Sequence, residues 1–178
     1  IERILLIGME PVERYLKEEG FEVVKDYRVQ GVVVAQDRNL DFQKLKLAVS
    51  AVFLEGAKII PVNLSRIVKD DDGLYFPGGG SVAVMLKHAT NYEEELPNLG
   101  KPSKEFLNYA LEGLEGEEVY LISDDVYTDL IGAKTLGLKT VFMTTGKYKR
   151  EELKRANFEP DFVFDSLEEL SGVLLRYL

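Results

Sequence analysis

Apolar residues in this chain come in short runs separated by amphipathic stretches, and the changes of period lay out its elements. Ile4, Leu5, Leu6 and Ile7 form a run too short for a helix that stops at Gly8, which predicts a buried strand. Pro11 then opens a helix with Val12, Tyr15 and Leu16 on one side, ending at Gly20. Phe21 to Val24 predicts a short strand and Gly31 to Ala35 a clearer one. A helix follows from about Asp41, with Phe42, Leu45, Ala48, Val49 and Val52 inward and Gly56 as its stop, and Lys58 to Val62 is the next strand. Periodicity lapses from Asn63 through Asp70-Asp-Asp-Gly73 and Pro77-Gly-Gly-Gly80. Ser81 then opens a helix whose inward face is Val82, Met85, Leu86 and Ala89, and His88 falls off that face, at the surface.

Tyr92 to Asn98 is polar, acidic and proline-containing, which places a boundary there and gives domains 1–97 and 98–178. Beyond it Ser103 caps a helix with Phe106, Leu107, Ala110, Leu111 and Leu114 inward. Val119 to Ile122 predicts a buried strand ending at two carboxylates, Asp124 and Asp125. A helix follows with Val126, Leu130 and Ala133 at helical spacing, Thr128 as cap and Gly137 as stop. Lys139 to Met143 and Asp161 to Phe164 are further strands. The last helix carries a capping box, Ser166 with Glu169, and buries Leu167, Leu170 and Leu174. Strands alternating with helices define an α/β chain with parallel pairing. Three strands after the boundary are few for a doubly wound sheet, and the chain opens at Ile1 inside a strand-like run; both lead us to expect further strands upstream.

Composition narrows the function. With 31 acidic against 22 basic side chains and a net charge of −9, the chain lacks the clustered basic face that nucleic acid or an acidic membrane would need. The absence of cysteine excludes disulfides, thiolate nucleophiles and Cys-ligated zinc, and fits a reducing cytoplasm. One histidine excludes a multi-His metal site, and no apolar run is long enough for a membrane span. The glycine run does not make a dinucleotide loop, because Ala83 stands where the third glycine belongs. Gly100-Lys101 is followed by Pro102 and not by Ser or Thr, so it is no Walker loop either. Pro77-Gly-Gly-Gly80 is therefore read as a permissive turn into a helix.

Lys101 before a helix, Asp124 at the carboxyl end of a strand and Asp129 five residues later suit phosphoryl chemistry: a lysine for phosphate oxygens and carboxylates for Mg²⁺. Singly, each has a plainer reading: a solvated lysine, a helix-capping aspartate, a carboxylate at the positive end of a helix. The order and spacing of Gly100-Lys-Pro-Ser103, Ser123-Asp-Asp-Val-Tyr-Thr-Asp129, Gly132-Ala-Lys-Thr-Leu-Gly137, Thr145-Gly146, Pro160-Asp-Phe-Val163 and Pro77-Gly-Gly-Gly-Ser81 resemble the haloacid dehalogenase (HAD) superfamily, in its NagD-like, p-nitrophenylphosphatase-like branch.

The resemblance implies an α/β cap domain over residues 1–97 and the C-terminal part of a Rossmann-like parallel core over 98–178. It implies a Mg²⁺-dependent phosphatase acting on a small-molecule phosphate ester through an aspartyl-phosphate, and a homodimer formed through the cap. Lys101 would steady phosphate, Asp124 would ligate Mg²⁺, Asp129 would orient or join the metal site, and Asn63 and Ser65 would face the substrate's leaving group. The chain departs from the family at several places. The D-x-D pair that supplies the nucleophile has no counterpart at its start, and Asp70-Asp-Asp72 only imitates it. Ser123 stands where glycine is usual, Asp125 where a basic residue is common, and Val62 and Ser65 replace Thr and Asp. A noncatalytic relative that binds a ligand or partner is the alternative. A receiver domain is excluded because its acidic pair precedes its lysine.

Overall fold

The computed structural model describes residues 1–101, 103–113 and 118–174, with Leu174 given by its backbone alone. Pro102, Leu114 and the side chain of Leu174, all assigned from the sequence, lie outside the described residues. The chain divides into two compact units, Ile1–Gly100 and the residues from Lys101 onward.

In the first unit, β1 (Arg3–Ile7), α1 (Glu10–Glu18), β2 (Glu22–Val24), β3 (Gly31–Val34), α2 (Phe42–Glu55) and β4 (Lys58–Pro61) build a four-stranded sheet. Its order is β2-β1-β3-β4 and every pair is parallel. A short antiparallel pair, β5 (Ile67–Lys69) with β6 (Tyr75–Pro77), leads into α3 (Gly79–Thr90). Leu5, Ile7, Val32, Val34 and Ile59 of the sheet pack with Ala48, Ala51 and Val52 of α2 and Val82, Ala83 and Leu86 of α3 in one core cluster. Burying side chains of this size contributes on the order of 2 kcal/mol each, which is what holds the short strands in place. Asp41 caps α2 by accepting from the Lys44 amide at 2.8 Å, and Gly56 ends it in the left-handed region at φ 67°.

Several expected inward faces are turned. Phe42, assigned to the core side of α2, is 89% exposed, and Met85 and Ala89 of α3 lie outside while Ala83 and Thr90 lie inside. The helices sit close to the sheet and to each other, so small residues take the contact and the inward stripe is rotated by about one position. Helix α1 has no fully buried residue, and its Tyr15 is exposed. The stretch from Ile67 read as aperiodic holds the β5–β6 hairpin. Its turn is the Asp70-Asp-Asp-Gly73 segment: Gly73 adopts φ 84°, its amide donates to Asp70 O at 3.1 Å, and Leu74 N donates to Asp72 Oδ1 at 2.8 Å. Those aspartates do turn chemistry, as their Asp-Gly step implies.

The glycine run also has a different cause from the one expected. None of Gly78, Gly79 and Gly80 has a positive φ, so flexibility is not what is required. The run lies against the backbone of residues 64–66: Gly78 N donates to Arg66 O and Gly80 N to Ser65 O, at 2.8 and 3.1 Å. A Cβ on Gly80 would fall 2.4 Å from Leu64 C, and one on Gly78 2.2 Å from Ser65 O. Backbone cannot yield as a side chain can. Gly80→Ala should therefore destabilise the protein by about 3 kcal/mol, the upper end of the overpacking range, measured by urea unfolding; a loss below about 0.5 kcal/mol would show that the approach is not as tight as described.

The second unit contains α4 (Lys104–Leu111), β7 (Tyr120–Ser123), a π-helical turn (Val126–Leu130), α5 (Ile131–Thr135), β8 (Lys139–Met143), α6 (Glu151–Arg155), β9 (Phe162–Phe164) and α7 (Leu167–Leu174). The three strands are parallel in the order β7-β8-β9. Val126, Leu130 and Phe142 centre one core cluster, and Val141, Met143, Phe164 and Leu170 another. The apolar run of β7 predicts a buried strand, yet Tyr120 and Ile122 are each 45% exposed; among the described strands β7 is paired on one side only, with β8. On α4 only Leu107 is fully buried, and on α7 Leu167 is 71% exposed. Ser103 and Ser166 cap α4 and α7 as expected, at 3.2 and 3.1 Å, while Glu169 reaches the amide of Asp165 rather than that of Ser166. Among the described residues no helix is long and apolar enough to cross a membrane.

Candidate active site

Parallel register decides which loops meet. Ser123, the last residue of β7, pairs with Phe142 of β8, so the loops that leave the carboxyl ends of these two strands lie side by side. In open parallel sheets this end is where ligands bind. The loop after β7 carries Asp124 and Asp125, and the loop after β8 carries Thr144-Thr-Gly-Lys147.

Asp125 starts the π-helical turn. Its Oδ1 accepts from the amides of Tyr127 and Thr128 at 3.1 and 3.0 Å, so the cap is Asp125 and not Thr128. Its Oδ2 meets the ammonium of Lys147 at 2.8 Å, and the two side chains are only 10% and 12% exposed. Burial pushes the Asp125 carboxyl up, but the bonds from Lys147 and Thr128 outweigh it and hold the group below the usual aspartate range. The turn is closed by bonds spanning five residues, Leu130 N to Asp125 O at 3.2 Å and Ile131 N to Val126 O. Such turns hold one residue more than an α-turn.

Within it Asp129 points inward and is 5% exposed. Its Oδ2 accepts from Lys101 Nζ at 3.0 Å and from Ser123 Oγ at 2.5 Å. Its Oδ1 is buried and has no hydrogen-bond partner. A buried anionic oxygen without a donor is costly, which makes it a place for a cation or a donating ligand.

Asp124 is held from the neighbouring loop: its Oδ2 accepts from the backbone amide of Lys147. Gly146 makes the space, because a Cβ there would lie 1.9 Å from that same oxygen. Lys101, Asp124 and Asp129 thus belong to one unit, with Lys101 and Asp129 in direct contact and Ser123 linking Asp129 to the strand end that carries Asp124. Asn63 and Ser65 lie in the other unit, where their side chains serve the local turn: Asn63 Oδ1 accepts from Ser65 N at 3.0 Å, and Ser65 Oγ donates to Ile67 O at 3.2 Å. Sequence reasoning assigns no role to Lys147 or Gly146. Their only signal is a Thr-Gly pair after a strand, followed by the basic residues Lys147, Lys149 and Arg150 in an acidic chain.

Among the described residues no three acidic, histidine or cysteine side chains gather closely enough to hold a metal ion unaided. Magnesium does not require this, since it is commonly bound through one or two carboxylates with water and substrate phosphate completing the shell. Asp124 together with the unpartnered Oδ1 of Asp129 fits that pattern.

This arrangement, a lysine and two carboxylates at the carboxyl end of a parallel sheet, coincides with the result of comparison with known proteins. A family model described as HAD-hydrolase-like matches residues 98–170. The p-nitrophenyl phosphatase from Archaeoglobus fulgidus is 30% identical, with a TM-score of 0.78 and a match over 97% of this chain and 67% of its own. A hypothetical protein from Pyrococcus horikoshii is 31% identical, with a TM-score of 0.79 over 97% of this chain and 68% of its own. The chain belongs to the haloacid dehalogenase superfamily. Within it, its structural neighbours are NagD-like and p-nitrophenylphosphatase-type enzymes. An acid sugar phosphatase of Staphylococcus epidermidis is 27% identical over 166 residues, which are 92% of this chain; the chain spans 62% of the length of that relative.

Proposed function

We propose that this chain is the cap and the C-terminal core of a Mg²⁺-dependent phosphomonoester hydrolase, with residues 1–97 as the cap and 98–178 as part of the catalytic core. The observation that carries it is Asp129: a buried carboxylate with one oxygen held by Lys101 and Ser123 and the other left without a partner. A purely structural carboxylate would be expected to satisfy both oxygens.

In this reading Asp124 and Asp129 Oδ1 face the metal. When bound, the ion supplies charge that balances the phosphate and positions its oxygens. Lys101 is half-exposed and keeps donors beyond the one given to Asp129, so it serves phosphate oxygens while steadying Asp129. Lys147, through its backbone amide, fixes one oxygen of Asp124 and leaves the carboxylate oriented by the fold and not by solvent. The family's reaction passes through an aspartyl-phosphate; the attacking carboxylate is assigned to none of the described residues. Small phosphate esters are the substrate class, with sugar phosphates first because a curated relative is named an acid sugar phosphatase. Asn63 and Ser65 are proposed to contact the leaving group, and pairing through the cap is proposed for the assembled protein.

The test uses the full product of the gene. Hydrolysis of p-nitrophenyl phosphate should require Mg²⁺, and Asp124→Asn should lower kcat/KM on the order of 100-fold, the scale for losing one preorganised electrostatic contact. Metal-independent turnover, or an Asp124→Asn enzyme as fast as the parent, would overturn the assignment.

A further inference from the structure

Asp129 is held unsymmetrically, by one oxygen only. Two donors share its Oδ2, but they differ in kind. Lys101 Nζ is a point charge on a flexible stem, 51% exposed, and its three donors can follow either carboxylate oxygen. Ser123 Oγ is on a one-carbon stem at the end of β7, and it is itself pinned because it accepts from the amide of Asp125 at 3.0 Å while donating to Asp129 Oδ2 at 2.5 Å. A half-turn of a carboxylate merely exchanges two equivalent oxygens, but its terminal torsion is broad, so without a fixed donor smaller rotations carry the bare oxygen out of its place.

We propose that Ser123 is a positioning residue. Its hydroxyl fixes the plane of the Asp129 carboxylate, keeping one oxygen bare in a set direction, and so raises the affinity of this site for a divalent cation. The proposal rests on the metal-binding reading of Asp124 and Asp129 and goes beyond it, since that reading needs only the two carboxylates. Lys101, on its flexible and half-exposed stem, does not hold that plane by itself.

The experiment titrates Mg²⁺ into the complete chain, calorimetrically at fixed ionic strength, for the parent and for Ser123→Gly, Ser123→Ala and Ser123→Thr. Thermal midpoints are recorded on the same samples with metal removed. Outer partners of metal ligands typically change affinity about 10- to 100-fold; we expect about 10-fold weaker binding for the Gly and Ala variants and near-parental binding for Thr, which retains the hydroxyl. A structural role would lower the midpoints of the Gly and Ala variants while leaving Mg²⁺ affinity unchanged, and that result overturns the positioning role but leaves the metal site standing. A folded parent chain that binds no Mg²⁺ would overturn both. Glycine removes the hydroxyl without adding bulk, so the Gly variant keeps the comparison informative if Ala or Thr disturbs the strand end.

Discussion

Lys147→Met is expected to cost about 3 kcal/mol of folding stability, the lower end of the range for breaking a buried ion pair. The methionine keeps most of the volume, so the loss isolates the charge. Asp125 would be left with its burial and its two amide donors but without the ammonium that now lies 2.8 Å away. The same change should move acid unfolding. In the parent the carboxyl of Asp125 is held below its unfolded value of about 3.9, so its contribution is present above that pH and is lost as pH falls through the lower folded value. In Lys147→Met burial is no longer outweighed to the same degree, the folded value rises, and destabilisation should begin at higher pH. Urea unfolding across a pH series from about 3 to 7 measures both effects. The double variant Asp125→Asn/Lys147→Met removes both charges and keeps an oxygen for the Tyr127 and Thr128 amides, so it should recover much of the loss. No recovery would mean that the stability comes from packing of the lysine stem and not from the pair.

Gly146→Ala should strike the site harder than the fold. The added methyl would fall 1.9 Å from Asp124 Oδ2, 2.4 Å from its Cγ and 2.6 Å from its Cβ. The carboxylate can swing away, but Cβ is fixed by the backbone, so the two loops must also shift and the cost to stability should reach about 2–3 kcal/mol. Swinging away breaks the bond to the Lys147 amide and removes the carboxylate from its held position. Mg²⁺ binding, and phosphatase activity of the complete gene product, should fall on the order of 100-fold. A variant that loses several kcal/mol but binds Mg²⁺ like the parent would show that the glycine serves the backbone and not Asp124.

The contrast between these two sites shows what a sequence makes legible. Signals that act within a few residues are readable. The strand Lys139–Met143 has the bounds its pattern predicts, the caps at Ser103 and Ser166 and the stop at Gly56 stand where expected, and α2 starts beside Asp41 as its pattern implies. The order of Lys101, Asp124 and Asp129 leads to the expectation that they share one strand end. The contact between Lys101 and Asp129 agrees with that reading, whereas the Lys147–Asp125 pair, 22 residues apart in sequence, depends on a β7–β8 register that periodicity does not encode. Which side of a helix faces inward is also only partly legible. Phe42 and Met85 look like core residues by hydrophobicity, but helices that approach closely select Ala48, Ala51 and Ala83 for the contact. Strand β7 reads as buried from its apolar residues, and its exposure goes with having one paired neighbour among the described strands, which no local pattern marks. The Asp70–Gly73 turn escapes notice for a different reason: its Asp-Gly step is a hairpin signal, but the strands it joins are three residues each, too short to show an alternation.

The π-helical turn between Asp125 and Ile131 absorbs one residue that an α-turn would not hold. Residues 126–130 could be exchanged for others of similar shape, but rewinding them as ordinary α-helix without losing one would rotate the downstream residues by about 100°. Leu130 would leave its fully buried place beside Val126 and Phe142, and the carboxylate now at position 129 would point away from Ser123. The wide winding of this turn thus suits two demands at once, a packed hydrophobic interior and an inward-facing acid, and it is the winding, more than the identity of the residues between them, that keeps both in place.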